Sequence, residues 1–235
     1  MNPMNPLTDE IIAETRQHYD EGKAASARRY FKEPINSWGI PMPVCKKIAS
    51  LFYPRLKGDL QLAIEVVGEL HRQGVFEVAV VGDYILSRMK RYLTPSHFDI
   101  FDQWVDTLTN WANTDLMCTV LVSETVSKDP RLTERLLEWT ESENRWRRRA
   151  AAVSLVPIAR RGERLDETFR IADKLMEDQD NMVQKGVGWL LKEMSKKHPV
   201  EVRDYLLKWR TRTSAIVLRY ASEKLSGEMR VLKRG

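Results

Sequence analysis

The sequence predicts an all-α fold, a right-handed superhelix of about six stacked helix pairs. Apolar residues recur at i, i+3, i+4 and i+7, the helical spacing, as at Leu60, Ile64, Val67 and Leu70. No segment between the turn signals has the pattern of a strand, and related helix sequences return every 34 to 37 residues. We therefore expect one repeat domain over 1–235, with flexible ends at 1–6 and 228–235.

Prolines and glycines mark where the helices begin and end. Pro43, Pro130 and Pro199 can each occupy the first helical position, and Gly74 and Gly162 are stop signals. These signals and the apolar spacing predict helices near 8–22, 42–54, 59–72, 75–91, 95–108, 111–127, 130–141, 144–160, 165–177, 181–197, 199–209 and 213–226.

Two kinds of helix alternate along the chain. One kind begins at Asn110, Asn144 and Asn181, at intervals of 34 and 37 residues. The other follows Lys-Asp-Pro at 128–130 and Lys-His-Pro at 197–199, and each of these continues into Leu-Leu-X-Trp. The period is slightly below the usual HEAT spacing and near that of tetratricopeptide repeats, whose residue pattern is absent. We expect a HEAT-like array.

The charge distribution favours a polyanionic partner. Lys and Arg total 38 against 33 acids, which gives a net charge of +5. The basic residues concentrate at 46–47, 88–91, 145–149, 192–197 and 230–234. Clustered cations release counterions when they meet phosphates, whereas the alternative is a set of solvated helix faces.

Several classes of protein are not expected. Cys45 and Cys118 lie too far apart for a disulfide framework or zinc motif, and the four histidines are scattered. We expect neither metal nor organic cofactor. The chain has no secretory signal and no apolar run of membrane-spanning length, so we expect a cytoplasmic protein, monomeric and not bound to membranes.

The repeat predicts that four residues share one concave face. Equivalent positions of successive repeats stand side by side, and Asp115 aligns with Arg149, which aligns with Gly186. Trp111 lies one turn before Asp115 on the same helix face, and Trp189 lies one turn after Gly186. Taken singly, the Asp–Arg pair fits a surface salt bridge and the tryptophans fit a core.

A groove of this kind suits DNA and one particular reaction. A carboxylate in a basic groove repels phosphate, and an oxocarbenium-like sugar would supply the compensating positive charge, which hints at cleavage of an N-glycosidic bond. Indole faces could stack on sugars or bases. Consecutive arginines at 147–149 cannot all face one way, so at most two contact one groove. The cations expected on phosphates are Lys46, Lys47, Arg148, Arg149 and Lys185.

Three sequence blocks resemble one family. Asn-Trp-Ala-Asn-Thr-Asp at 110–115, Asn-Arg-Trp-Arg-Arg-Arg-Ala-Ala at 144–151 and Gln-Lys-Gly-Val-Gly-Trp-Leu-Leu-Lys-Glu at 184–193 resemble the AlkD-like HEAT-repeat DNA glycosylases. Arg-Tyr-Phe-Lys at 29–32 and Gly-Ile-Pro-Met-Pro at 39–43 extend the resemblance, which covers about residues 24 to 210. It implies excision of cationic alkylated purines such as 3-methyladenine and 7-methylguanine, without drawing the lesion into a deep pocket.

The resemblance also implies residue roles. Trp111 and Trp189 match tryptophans that pack on the lesion nucleotide's backbone, and Asp115 matches the carboxylate that stabilises the departing sugar cation. Arg149 matches the arginine on the adjacent phosphate, and Tyr30 an aromatic residue at the groove edge. The sequence departs from the family at Met42, where a hydroxyl residue is common, and at 46–47, where arginines are common.

Two other functions remain open at this point. Some members of the family bind DNA without excising a base, and most helical solenoids are protein-interaction scaffolds. The basic run at 145–149 argues mildly against a scaffold.

Overall fold

A computed structural model describes residues 4–31 and 33–232, and within them it contains helices and turns but no strand. This confirms the all-α prediction. Short 3₁₀ segments occur at Lys90–Tyr92, Pro95–His97, Ser222–Lys224 and Gly227–Met229, and a π-helix at Cys118–Val122. The α-helices are α1 (Pro6–Arg16), α2 (Glu21–Tyr30), α3 (Met42–Leu56), α4 (Leu60–Arg72), α5 (Phe76–Ser87), α6 (Phe98–Val105), α7 (Trp111–Met117), α8 (Ser123–Lys128), α9 (Leu132–Trp139), α10 (Arg145–Val153), α11 (Val156–Arg160), α12 (Leu165–Leu175), α13 (Asn181–Ser195), α14 (Pro199–Trp209) and α15 (Ala215–Ala221).

The chain divides into two compact units, Met1–Leu121 and Val122–Gly235. In unit 1, α1, α4 and α6 form a first layer, while α3, α5 and α7 form a second. The indole of Trp104 on α6 stacks on His71 of α4 with ring centroids 5.2 Å apart, and it also covers Gly68. Aliphatic side chains between the two layers form the core.

Unit 2 repeats this arrangement. The helices α9, α12 and α14 form its first layer, and α10, α13 and α15 form its second. Phe169 of α12 and Tyr205 of α14 stack with centroids 4.2 Å apart. The helices that begin directly after Asn110, directly after Asn144 and at Asn181 all belong to second layers, as the alternation in the sequence predicts.

Ion pairs between successive pairs of helices follow the repeat. In unit 2, the guanidinium of Arg170 donates to Glu134, 36 positions earlier, with an N–O distance of 2.8 Å. The Lys174 ammonium donates to Glu141, 33 positions earlier, at 2.7 Å. These separations agree with the predicted period, because equivalent positions of neighbouring helix pairs lie side by side.

Two predicted helix boundaries are wrong. The helix expected near 8–22 is two helices, since Asp20 caps α2 by accepting a hydrogen bond from the N–H of Lys23 at 3.0 Å. Periodicity could not reveal α2, because Ala24 is its one buried residue. The helix expected near 144–160 is interrupted between α10 and α11, where Pro157 has no N–H to continue the ladder.

The described parts of both ends are held by hydrogen bonds. The backbone N–H of Asn5 donates to Glu69 Oε2 at 3.0 Å, and that of Val231 donates to Ser222 Oγ at 3.1 Å. Residues 1–3 and 233–235, also expected to be flexible, lie outside the described residues. Within the described ranges, no helix combines the length and apolar character needed to cross a membrane.

Candidate functional site

Helix α7 carries two of the predicted site residues in unit 1. Asn110 caps it by accepting a hydrogen bond from the N–H of Asn113 at 2.9 Å, which makes Trp111 the first helical residue. Asn113 is buried and donates its side-chain amide to the carbonyl of Phe76 at 3.3 Å. The cap and this bond fix the start of α7 against α5.

The Trp111 indole is supported by other aromatic rings. Phe31 stacks on it with centroids 5.4 Å apart and planes at 25°, and Tyr30 meets it edge-on at 6.3 Å. Phe31 is buried and also contacts Phe76 at 5.6 Å, while Tyr30 is 70% exposed. Unit 1 therefore brings Tyr30 and Trp111 together, with Phe31 behind the indole.

Asp115 lies one turn after Trp111 and is half-buried. Its backbone carbonyl accepts a hydrogen bond from the Thr119 hydroxyl at 2.6 Å. Thr119 belongs to the π-helix Cys118–Val122, so α7 passes into a wider turn after Met117, two residues beyond Asp115. Such π segments occur often at functional sites.

A buried carboxylate positions the start of α3, the helix of Lys46 and Lys47. Glu77 of α5 accepts hydrogen bonds from the Ser37 hydroxyl at 2.6 Å and from the N–H of Trp38 at 2.8 Å. The N–H of Gly39 also donates to it, at 2.9 Å, and the φ of Gly39 is +72°. Glycine suits this turn, because a Cβ would meet the carbonyl oxygen of Asp20 at 2.2 Å.

Lys46 and Lys47 are exposed and form no ion pair with any residue that the structure describes. The Lys46 ammonium lies over the Tyr84 ring, 5.2 Å from its centroid. Burial raises the pKa of the Tyr84 phenol, with further contributions from Cys45 and Asp83, so the ring is neutral at physiological pH. Burial and the charge of Glu77 raise the pKa of the Cys45 thiol to about 12. That thiol is no candidate nucleophile.

In unit 2, Arg149 is buried between α10 and α13. It is 5% exposed, and its Nη1 donates to the backbone carbonyl of Met182. A Cβ at Gly186 would lie 3.3 Å from Arg149 Cγ, so the glycine leaves room for the arginine. The aligned positions 149 and 186 are thus in contact. Lys185 and Trp189 lie one turn apart on α13, both half-buried.

Arg148 has a different environment from the one expected. Its Nε donates to Asp178 Oδ2 at 2.6 Å, and its Nη1 donates to the carbonyls of Ser142 and Glu143 at 2.8 and 3.0 Å. These bonds tie the loop before α10 to the loop before α13. They give Arg148 a structural role, which differs from the phosphate contact predicted from the sequence.

The sequence pattern does not identify Phe31, Glu77 or Arg88. Phe31 follows Tyr30 in the block at 29–32, but no local pattern distinguishes it from a core residue. Arg88 belongs to the basic stretch at 88–91, for which the sequence shows only the charge. Among the described residues, no group of three or more His, Cys, Asp or Glu side chains could hold a metal ion.

Comparisons with known proteins give a family and a fold. The model of a family described as "DNA alkylation repair enzyme" matches residues 11–225. A search of curated proteins finds no match.

Solved structures that are similar to this chain include the following three. A predicted DNA alkylation repair enzyme from Enterococcus faecalis matches with a TM-score of 0.78 and 16% identity, covering 89% of this chain and 98% of that one. AlkD2 from Streptococcus mutans matches with a TM-score of 0.59 and 22% identity, over 80% and 91% of the two chains. The protein smu.31 from Streptococcus mutans UA159 matches with a TM-score of 0.58 and 22% identity, covering 79% of this chain and 93% of that one. At such identities the likeness shows the fold alone.

Proposed function

This chain belongs to the DNA alkylation repair enzyme family, and from that premise we propose that it is a DNA glycosylase. Its substrates would be cationic alkylated purines in duplex DNA, such as 3-methyladenine and 7-methylguanine. The reaction is hydrolysis of the N-glycosidic bond and uses no metal or organic cofactor.

One observation carries the proposal. Helix α7 carries the half-buried residue Asp115 one turn from Trp111, whose indole is itself stacked on Phe31. An indole held in this way offers a flat surface to a sugar or base, and the adjacent carboxylate offers negative charge. In a chain that belongs to the DNA alkylation repair enzyme family, Trp111 and Asp115 together support the proposal that the N-glycosidic bond at C1′ of a damaged nucleotide is cleaved.

The positive charge of the substrate explains why the reaction needs few catalytic side chains. An N-alkylated purine is already a cation, so when the bond from C1′ to nitrogen breaks it leaves as a neutral base without a proton from a general acid. The positive charge passes to the sugar as an oxocarbenium ion, which the Asp115 carboxylate stabilises. Water then forms a bond to C1′, and its proton passes to the carboxylate and on to solvent. The products are the free base, an abasic site and a proton.

Duplex DNA is the proposed partner, and the exposed cations of unit 1 would contact its phosphates. The resemblance assigns Arg149 to a phosphate and Trp189 to the lesion nucleotide's backbone. The phosphate contact of Arg149 and the backbone contact of Trp189 are part of the proposal, and substitution of each residue would test its role. Arg148 is left out of the proposed interface because its donors are engaged within unit 2.

The proposal is tested with Asp115→Asn. We expect this variant to release 7-methylguanine from methylated duplex DNA at least about 100-fold more slowly than the wild type, because it lacks the charge that stabilises the sugar cation. Duplex affinity should be unchanged or slightly higher, since a negative charge near phosphate is removed. Chromatography of the released bases measures the first quantity, and fluorescence anisotropy the second.

The matched control is Asp204→Asn, which makes the same change at an exposed position of α14, where Asp204 pairs with Arg203. It should excise at the wild-type rate. If Asp115→Asn also excises at that rate, the assignment of Asp115 fails. A wild-type protein that binds duplex DNA but releases no base would indicate the non-catalytic alternative instead.

A further inference from the structure

Two neighbouring segments of unit 1 form a ladder of cation and aromatic pairs, in which Lys46 is the one member already expected to contact DNA. Lys46 and Ser50 lie one turn apart on α3. Tyr84 lies on the neighbouring α5, and Arg88 directly follows that helix, one turn after Tyr84. The Lys46 ammonium lies over the Tyr84 ring at 5.2 Å. The Arg88 guanidinium donates to the Ser50 hydroxyl and lies 5.3 Å from the centroid of Tyr53.

The bonds of this ladder orient both cations without neutralising them. The Ser50 hydroxyl donates to the carbonyl of Lys46 at 2.8 Å, so its oxygen is turned to accept from Arg88. Aromatic rings under an ammonium and a guanidinium restrict their motion and leave their charge intact. One N–H of Arg88 is used by Ser50, and no other hydrogen bond or ion pair joins Arg88 to the residues that the structure describes.

Another cation on α3 behaves differently. Arg55 pairs with Glu10 of α1 through both of its terminal nitrogens. Lys46 and Arg88 are also exposed, yet neither meets a carboxylate among the described residues. Two cations held on neighbouring helical segments repel each other, and an anion that contacts both would remove that repulsion.

We propose that Lys46 and Arg88 form a binding site for one phosphodiester group of the DNA backbone. Ser50, Tyr53 and Tyr84 act as positioning residues. The phosphate oxygens would accept hydrogen bonds from the remaining N–H groups of Arg88 and from the ammonium of Lys46. This inference rests on the proposed function for its ligand, duplex DNA, and adds a backbone contact made by one residue of α3 and one directly after α5.

The test measures the affinity of undamaged duplex DNA for the full chain across a series of salt concentrations. Arg88→Gln should bind about tenfold more weakly than the wild type, since one charge-assisted contact is lost. The slope of log affinity against log salt should fall by about 1. The matched control is Arg55→Gln on α3, which should keep both the wild-type affinity and the wild-type slope.

A second pair of variants tests the ladder without removing a charge. Tyr84→Leu takes away the ring under Lys46 and should weaken binding about threefold, whereas Tyr84→Phe keeps the ring and should bind like the wild type. The inference is overturned if Arg88→Gln matches the wild type in affinity and slope, or if the leucine and phenylalanine variants bind equally well.

Base release is measured on the same proteins, which separates this inference from the proposed function. A wild type that releases no base contradicts the glycosylase assignment, while weaker duplex binding by Arg88→Gln still supports the site. A wild type that releases bases, together with an Arg88→Gln variant of unchanged affinity and slope, contradicts the site alone.

Discussion

Trp111 owes its orientation to its neighbour Asn110 and to a side chain from a distant part of unit 1. Asn110 sets the first turn of α7, and Phe31 stacks on the indole from the segment that follows α2. Aromatic stacking contributes about 0.5–1.5 kcal/mol beyond burial, so Phe31 restricts the indole as well as filling space. The chemistry proposed for Asp115 therefore depends on a phenylalanine that would not touch the substrate itself.

Phe31→Leu tests this dependence. The variant keeps an apolar side chain but loses the ring, and we expect kcat/KM for 7-methylguanine release to fall about tenfold through a poorly held Trp111. Phe31→Tyr, which keeps the ring, should restore most of the activity. Phe169→Leu is the matched control, because it removes the ring that stacks on Tyr205 in unit 2. Equal kcat/KM values for the two leucine variants would contradict the role of Phe31.

At the scale of elements, α13 is the central helix of unit 2. It packs between α10 and α15 in the second layer and contacts α12 and α14 of the first. Two glycines permit this close packing, with Gly186 facing Arg149 and Gly188 facing Tyr220. A Cβ at Gly188 would lie 2.5 Å from the Cβ of Tyr220, a distance that two rigidly attached carbons cannot adopt.

Gly188→Ala should therefore destabilise the protein even though alanine is the better helix former by about 1 kcal/mol. We expect a net loss of about 1–3 kcal/mol, because α13 and α15 must move apart. Thermal unfolding followed by circular dichroism measures the change. Gly22→Ala in α2 is the control, since its Cβ would meet nothing closer than Asp20 Oδ1 at 3.4 Å. A melting temperature for Gly188→Ala equal to or above that of the wild type would disprove this account.

Across the described part of the molecule, the cations differ in whether they meet an acid. Some pair with acids of the neighbouring helix pair, as Arg170 does with Glu134 and Arg212 with Glu177. Several cations on second-layer helices, or directly after one, form no ion pair within the described part of the chain. Four of them are Lys46, Lys47, Arg88 and Lys185. Although the net charge is only +5, the chain therefore has cations that can bind a polyanion.

Duplex binding should accordingly depend steeply on salt. If these four cations each contact one phosphate, a plot of log affinity against log salt should have a slope of about −3.6. With that slope, the affinity falls about 150-fold when the salt concentration rises from 50 to 200 mM. The Lys46→Gln/Lys185→Gln double variant should show about half that slope, and Arg170→Gln should show the full slope. A protein that acts only as a scaffold for other proteins would bind no DNA at moderate salt.

The sequence by itself determined the helical class, the repeat and the placement of Trp111 and Asp115 one turn apart. These properties depend on spacing along a single helix, and helical geometry is the same wherever the helix lies in the fold. The contact between positions 149 and 186 also followed from the sequence, because stacked repeats bring aligned positions together.

Only the tertiary structure decided which partner each side chain meets. Arg148 and Arg149 are neighbours in one basic run, yet the first bonds to Asp178 and loop carbonyls and the second to the carbonyl of Met182. The ring that stacks on Trp111 belongs to Phe31, and the hydroxyl that accepts a hydrogen bond from Arg88 belongs to Ser50. Both residues come from other segments of the chain. The physical reason is that charge and periodicity are local properties of the chain. Burial and hydrogen-bond partners depend on how segments far apart in sequence pack against one another.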